Sequence, residues 1–327
     1  MIQGYANQDG RLKPVEYPLE NLERVIWIDL LSPTDQEETL LEGRLEIDIP
    51  TREEMNVIEI SSRLYIENGA AVMIVALPAK ADTDEPEMAP VTFVLTAGKL
   101  ITVRYHEPRS FQTFPQRAAK APLGCTDGDT VMLALLEAII DRLADILERV
   151  GGDIDKISRE VFQHTGEATP KQRGKGSAFQ SILQGVGRKG DMISKIRESL
   201  LSLERMVGFL MQPDIPRNPG RDDKERLNTI WRDAHALTDH ASFLSQKINF
   251  LLDATLGMIS IEQNSIIKIF SVAAVIFLPP TLIASIYGMN FDVMPELHWL
   301  VGYPFALLLM VLSAGVAIWY FKRKGWL

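Results

Sequence analysis

Asn264, Ser271, Ala274, Leu278, Thr281 and Ser285 follow one another at steps of seven, three, four, three and four residues. That spacing gathers them near one face of a helix. The residues between them are largely apolar, so this face holds most of the segment's hydrogen-bonding side chains. Small and hydroxyl-bearing residues in such a setting serve one of two purposes. They let a second helix pack closely, or they line a path for water. Pro279-Pro280 interrupts the same stretch and frees backbone carbonyls. Just beyond come Gly288-Met289-Asn290 and a short acidic loop carrying Asp292 and Glu296, with no Lys or Arg.

These residues sit on two uncharged runs, 269–287 and 299–321. Each is close to the ~20 residues a helix needs to cross a bilayer. Lys322, Arg323 and Lys324 follow the second run directly. The positive-inside rule then places the C-terminus in the cytoplasm and the loop 288–298 outside. Tyr287 and Trp299 at one end, with Trp319, Tyr320 and Trp326 at the other, fit interfacial belts. Two helices cannot enclose a pore. If the polar face lines one, the assembly is a ring of identical chains, with rings of Leu278, Thr281 and Asn290.

Upstream, no Gly occurs between Asp222 and Gly257 and no Pro before Pro279. Ile230, Ala234, Leu237, Ala241, Leu244, Ile248, Leu251, Thr255 and Met258 alternate at steps of four and three, a heptad-like seam. The pattern predicts one helix of roughly fifty to sixty residues running into the first span, with a seam that needs partners from its own chain or from copies. Residues 126–221 read as helical: Val131–Val150 and Met192–Leu210 carry helical spacing, with a break expected in the Gly- and Lys-rich stretch 165–190. Residues 1–125 read as an α/β domain. Strand patterns occur at 25–30, 63–67, 70–77, 91–95 and 100–104. Asn68-Gly69 and 96–99 make hairpin turns, and Thr34 with Glu37 forms a helix-starting capping box that Thr51-Arg52-Glu53-Glu54 repeats. The loop between the hairpins, 80–87, is densely acidic; its ordinary role is that of a solvated loop. The expected fold is therefore an α+β cytoplasmic domain, a long stalk helix over 222–287, the loop 288–298, a second span over 299–321 and a basic tail, 322–327.

The chain has 327 residues, with 43 acidic and 34 basic side chains. Two of the acids and four of the bases belong to the membrane part, which leaves the front at −11. Such a surface argues against a nucleic-acid partner, whose phosphates need a basic face; it is compatible with cation partners, and equally with an excess of acid that only keeps the domain soluble. The single cysteine, Cys125, rules out a disulfide framework or a zinc-thiolate cluster within the chain. Met1–Gly10 lacks the basic and apolar regions of a signal peptide, so the front is expected in the cytoplasm. Nucleotide-binding, metalloprotease and hydrolase motifs do not occur. His235 and His240 are five apart, a poor spacing for sharing one metal.

Tyr287-Gly288-Met289-Asn290-Phe291, Met294-Pro295-Glu296-Leu297, Gly302-Tyr303-Pro304, Phe277-Leu278-Pro279-Pro280-Thr281 and the ending Tyr320–Leu327 closely resemble the CorA family of magnesium and cobalt transport proteins. The close match covers roughly 243–327; the front matches in layout. The resemblance implies a homopentameric funnel in the bacterial inner membrane, in contact with lipid, with both termini cytoplasmic. The first span would line the pore, with Asn264, Ile267, Phe270, Ser271, Ala274, Leu278 and Thr281 facing it and Ile267, Phe270 and Leu278 as apolar constrictions. Gly288, Met289 and Asn290 would form the outer mouth, where a ring of amide oxygens can hydrogen-bond the waters that Mg²⁺ gives up reluctantly. Glu296 and Asp292 would attract cations. Lys268, Lys322, Arg323 and Lys324 resemble the family's basic collar. The implied cargo is Mg²⁺, with Co²⁺ and Ni²⁺ as further ions. Regulatory Mg²⁺ would sit between cytoplasmic domains, with Asp82, Asp84 and Asp233 as ligands by layout.

Two other readings stand beside this one. The first is a zinc transporter of the ZntB type, proton-coupled; Met289 and Met294–Leu297 favour the magnesium branch. The second is a membrane-tethered ion sensor, for which neither the tripeptide nor the polar face would be needed. No constellation supports an enzyme.

Overall fold

The computed structural model describes residues 1–56, 63–83, 85–96, 98–163, 175–217, 220, 222–289 and 299–326. The chain divides into two compact units, Met1–Leu252 and Asp253–Leu327.

The first unit is built on a seven-stranded sheet of order β2-β1-β3-β7-β6-β5-β4. Its strands are β1 (Ile2–Gln8), β2 (Arg11–Val15), β3 (Trp27–Leu31), β4 (Leu64–Glu67), β5 (Ala70–Ala79), β6 (Glu87–Thr96) and β7 (Lys99–Arg104). All neighbours pair antiparallel except β3 and β7, which run parallel with Asp29 opposite Thr102. All ten residues of β5 are buried, as a central strand covered on both faces requires. One face packs Ile28, Leu30, Val72, Val94, Ile101 and Val103 against Leu41 of α1 (Asp35–Leu45) and Met55 of α2 (Arg52–Met55). The other face lies under α3 (Arg109–Lys120), α4 (Gly128–Gln163) and α5 (Lys175–Leu210), where Trp27 meets Phe111 and Phe114.

Both capping boxes form, Thr34 with Glu37 and Thr51 with Glu54. Asn68 and Gly69 both take positive φ, as the tight hairpin turn needs. Three features differ from the sequence expectation. A hairpin at Asp9-Gly10 adds β1 and β2. The helix α3 precedes the expected helical region. Residues 175–190 are helix rather than a break; a Cβ at Gly185 or Gly190 would meet Ile157 or Ile248 at ordinary contact distance, and one at Gly187 would meet nothing, so the helix accommodates these glycines without depending on them.

The helix α6 (Asp223–Tyr287) is continuous over 65 residues. Within the first unit its seam is buried at Ile230, Ala234, Ala241, Leu244, Ile248 and Leu251. The partners come from the same chain. Leu244 lies over Gly151 of α4, Ile248 over Gly190 of α5, and Arg226 forms a bidentate pair with Glu137 of α4.

The second unit holds the rest of α6 and α7 (Gly302–Arg323). Both helices are long and apolar enough to cross a membrane, and almost none of their apolar windows is buried. The end of α7 is fixed by a glycine. Gly325 takes φ +68°, its N–H donates to Lys322 O, and Trp326 N–H donates to Phe321 O. This is a Schellman cap with its usual apolar contact, Trp326 stacking on Phe321 at 5.6 Å. The cap brings Trp326 within 5.2 Å of the Lys268 ammonium of α6.

Candidate functional site

At 100° per residue, Asn264, Ile267, Phe270, Ser271, Ala274, Leu278 and Thr281 fall within an arc of about 120° on α6. All seven are exposed. Ile267 is 61%, Phe270 72% and Leu278 64% accessible, values that large apolar side chains on a water-soluble helix seldom combine on one face. The Thr281 hydroxyl donates to Phe277 O at 2.7 Å, so its proton is satisfied locally on an exposed residue. Pro279 and Pro280 lack N–H groups, so the carbonyls of Val275 and Ile276 have no partner four residues on. In a membrane such carbonyls have to meet water, a neighbouring chain or a ligand.

At one end of this face α6 stops at Tyr287, and Gly288 N–H donates to Ala284 O at 2.9 Å. A Cβ at Gly288 would come within 3.0 Å of that carbonyl. Gly288 and Met289 are exposed. Asn290 and Glu296 lie outside the described residues. At the other end, the Lys268 Nζ reaches Gly325 O at 3.5 Å. Lys322, Arg323 and Lys324 are exposed, with the Arg323 guanidinium 5.5 Å above the Trp319 ring.

The carboxylates expected by layout to hold regulatory Mg²⁺ are in unlike surroundings. Asp82, on the β5–β6 turn, accepts hydrogen bonds from Arg109 of α3 and Arg142 of α4, each at 2.7 Å, and from Arg149 of α4. Partial burial opposes ionisation, but the three guanidiniums outweigh it and hold this carboxyl well below the usual carboxylate range. Asp233 is exposed on α6. It adds, with Asp145 and Glu137, to the field that raises the Asp141 carboxyl, after burial as the first cause and against Arg117. Asp84 lies outside the described residues. Among the described residues no three His, Cys, Asp or Glu side chains form a metal-holding group. Within one protomer, then, Asp82 is an arginine-bound carboxylate.

The arginines around Asp82 were not singled out by the sequence pattern. Arg142 and Arg149 are seven apart and so share a face of α4, which was a readable signal. Arg109 reaches the same carboxylate from another helix, which no local pattern announces.

Comparison with known proteins bears on the whole chain. A family model described as "CorA-like Mg2+ transporter protein" matches residues 23–323. The magnesium transport protein CorA of Pasteurella multocida is 39% identical, and that of Escherichia coli K12 is 35% identical, each over the full length of both chains. Among solved structures, the complete CorA magnesium transporter of Methanocaldococcus jannaschii superposes with a TM-score of 0.78 at 17% identity, covering 100% of this chain and 99% of that one. The full-length CmaX protein superposes with a TM-score of 0.66 at 15% identity, covering 99% of this chain and 97% of that one.

Proposed function

We propose, from the premise that this chain belongs to the CorA family of Mg²⁺ transporters, that it is a passive channel for hydrated Mg²⁺ in the bacterial inner membrane. The observation that carries this reading is the exposed ladder on α6. Ile267, Phe270 and Leu278 stand outward on the face that also bears Asn264, Ser271, Ala274 and Thr281. The span is exposed on its other faces too; what sets this one apart is that Asn264, Ser271 and Thr281 lie on it. A ring of five copies would turn it inward, with polar rings for a hydrated ion and apolar rings that close by excluding water. The carbonyls freed by Pro279 and Pro280 add acceptors to the span.

Gly288, Met289 and Asn290 form the outer mouth in this reading. The Asn290 amides hydrogen-bond the hydration shell without stripping it, and Glu296 raises the local cation concentration. Co²⁺ and Ni²⁺, of similar charge and hydrated size, enter by the same route. Lys268, Lys322, Arg323 and Lys324 mark the cytoplasmic end of the spans. Both termini and the acidic first unit then face the cytoplasm.

Cytoplasmic Mg²⁺ favours the closed ring in this reading by binding carboxylates that face one another across subunit boundaries. Asp233, with Asp141 nearby on α4, is the better placed candidate. Asp82 is committed to arginine within its own chain and would have to be released first.

The test is flux. In liposomes of the purified chain enclosing a Mg²⁺-sensitive dye, external Mg²⁺ should produce influx, and Asn290→Ala should reduce it by more than tenfold. Influx that is absent, or indifferent to Asn290→Ala, overturns the reading. Zn²⁺ flux that collapses with the proton gradient, without Mg²⁺ flux, would instead support the zinc transporter.

A further inference from the structure

A groove of about 660 Å³ runs between the two helices of the second unit. Val275 and Pro279 of α6 form one wall; Leu309, Leu312, Val316 and Tyr320 of α7 form the other. Ser313 also borders it, but its hydroxyl already donates to Met310 O at 2.8 Å, so the groove presents an apolar surface. Its length and its end are both informative. From Leu309 to Tyr320 is eleven residue steps, roughly 17 Å at ~1.5 Å per residue. The hydrocarbon of a single leaflet is about 15 Å deep, half of ~30 Å. The groove leaves out the first seven residues of α7, so it does not extend along the whole span.

At its cytoplasmic end the groove is bounded by Trp319 and Tyr320. One turn on, the Arg323 guanidinium lies 5.5 Å over the Trp319 ring, with Lys322 and Lys324 exposed beside it. No Asp or Glu occurs between Gln263 and Met289 or between Trp299 and Leu327, so these cations have no acidic side chain within the two spans to neutralise them. A shallow, open apolar groove about one leaflet long, ending at an aromatic pair with a cluster of cations one turn beyond, matches the length and charge of a phospholipid.

We propose that this groove holds an acyl chain of an anionic phospholipid from the cytoplasmic leaflet, with its phosphate against Arg323 and the flanking Lys322 and Lys324. Basic pockets between transmembrane helices on the cytoplasmic side are suited to such headgroups. The stacked Trp319 holds the guanidinium at headgroup level and supplies the edge on which the glycerol region rests. The site goes beyond ion transport: it makes the anionic lipid content of the membrane a determinant of how α6 and α7 are held together.

The experiment uses the full chain in nanodiscs made from equal parts of phosphatidylglycerol and phosphatidylcholine, extracted in mild detergent, with retained lipid counted by native mass spectrometry. The wild type should retain phosphatidylglycerol over phosphatidylcholine by at least about fivefold, the preference expected of a single surface cation. Arg323→Gln should lower that ratio by about the same factor while lipid is still retained. Val316→Trp, which fills the groove, should lose both lipids. Retention of the two lipids in the ratio supplied, or an unchanged preference in Arg323→Gln, overturns the proposal. A second measurement covers a Val316→Trp chain that does not fold. Leu312→Cys places a thiol in the groove, while Cys125 is buried with its thiol pushed up to about 11 by that burial, and so stays unreactive. Efficient crosslinking between copies through position 312 would put protein rather than lipid in the groove and overturn the proposal; its absence, with phosphatidylglycerol enriched, supports it. None of these readouts depends on Mg²⁺ flux.

Discussion

The same helix behaves in opposite ways in the two units. Up to Leu252, α6 buries its seam against α4 and α5, and its charges find partners at Glu137 and Asp155. Beyond that point it turns large apolar residues outward, and few contacts within the chain restrain it. The first unit is self-sufficient. Its most demanding group, Asp29, is buried but receives Arg104 through two nitrogens and Thr102 at 2.7 Å, and Trp27 donates to Thr102 in turn. The second unit leaves its apolar helices almost wholly exposed. Substitutions in the first should act on folding, and those on the outward face of the second on flux.

The largest effect expected from this contrast is at Asp29. Asp29→Ala leaves Arg104, only 6% accessible, without its counter-charge. Removing one partner of a buried pair costs about 3–5 kcal/mol. Hydrogen exchange in β3 and β7 should therefore accelerate strongly. The double variant Asp29→Leu/Arg104→Met should recover most of the loss, because neither charge is then stranded. A single variant as stable as wild type would show that the pair is not the cost it appears from burial.

Next is Phe270, 72% accessible on the outward face of α6. Phe270→Ala should change the stability of one protomer by less than ~0.5 kcal/mol, as for other exposed substitutions. Its effect belongs in transport. Widening an apolar constriction should raise Mg²⁺ influx at high internal Mg²⁺ by about tenfold, which corresponds to ~1.4 kcal/mol on the closed state. Unchanged flux with a large loss of stability would reassign this face to packing and erase the distinction between the units.

A smaller effect is expected at Gly325, whose φ of +68° ends α7. A Cβ there meets no neighbour, so the cost of Gly325→Ala is conformational, about 1 kcal/mol. It should fray the last turn and loosen Trp326 from Lys268. Amide exchange at Tyr320–Lys324 measures it. Full protection in the variant would mean that membrane contacts, rather than the cap, hold this end.

How much of this was readable follows from whether a signal is local. Thr34 with Glu37, Asn68-Gly69 and the uninterrupted α6 each depend on residues a few positions apart, and each was legible. The β1–β2 hairpin carried a turn signal at Asp9-Gly10, but Arg11–Val15 buries only Leu12 fully, too faint an alternation to mark a strand. The glycines of 175–190 resembled a break because glycine is a weak helix former, and the packing of α5 on β5 and α4 that keeps the stretch helical depends on elements distant in sequence. The α6 face was legible by its period. Whether it meets protein, lipid or water is not a property of one chain's spacing. The surroundings of Asp82 were the least accessible, since an acidic loop reads as solvated until three arginines from two helices converge on it.

Asp82 also supports the smallest and most discriminating prediction. Its side chain is 37% accessible, so the pairs with Arg109, Arg142 and Arg149 are weakened by solvent and should contribute at most about 1 kcal/mol to global stability. Their effect should be local, on the turn joining β5 to β6. Because the folded carboxyl lies below its unfolded value of about 3.9, the contribution is fully present above that pH and is lost as pH falls through the folded value. Amide protection at Lys80–Thr83 should therefore persist at neutral pH and decline only in strong acid. Arg142→Gln should move that decline to higher pH, and Asp82→Asn should remove it. Added Mg²⁺ decides what the clamp means. If Asp82 serves as a regulatory ligand, Mg²⁺ must displace three guanidiniums, so the wild-type turn should respond only at high Mg²⁺ and the Arg142→Gln turn at lower Mg²⁺. A turn indifferent to Mg²⁺ in both proteins makes Asp82 a structural latch of the first unit, and leaves any regulatory ion to carboxylates such as Asp233 and Asp141 that no such clamp of arginines holds.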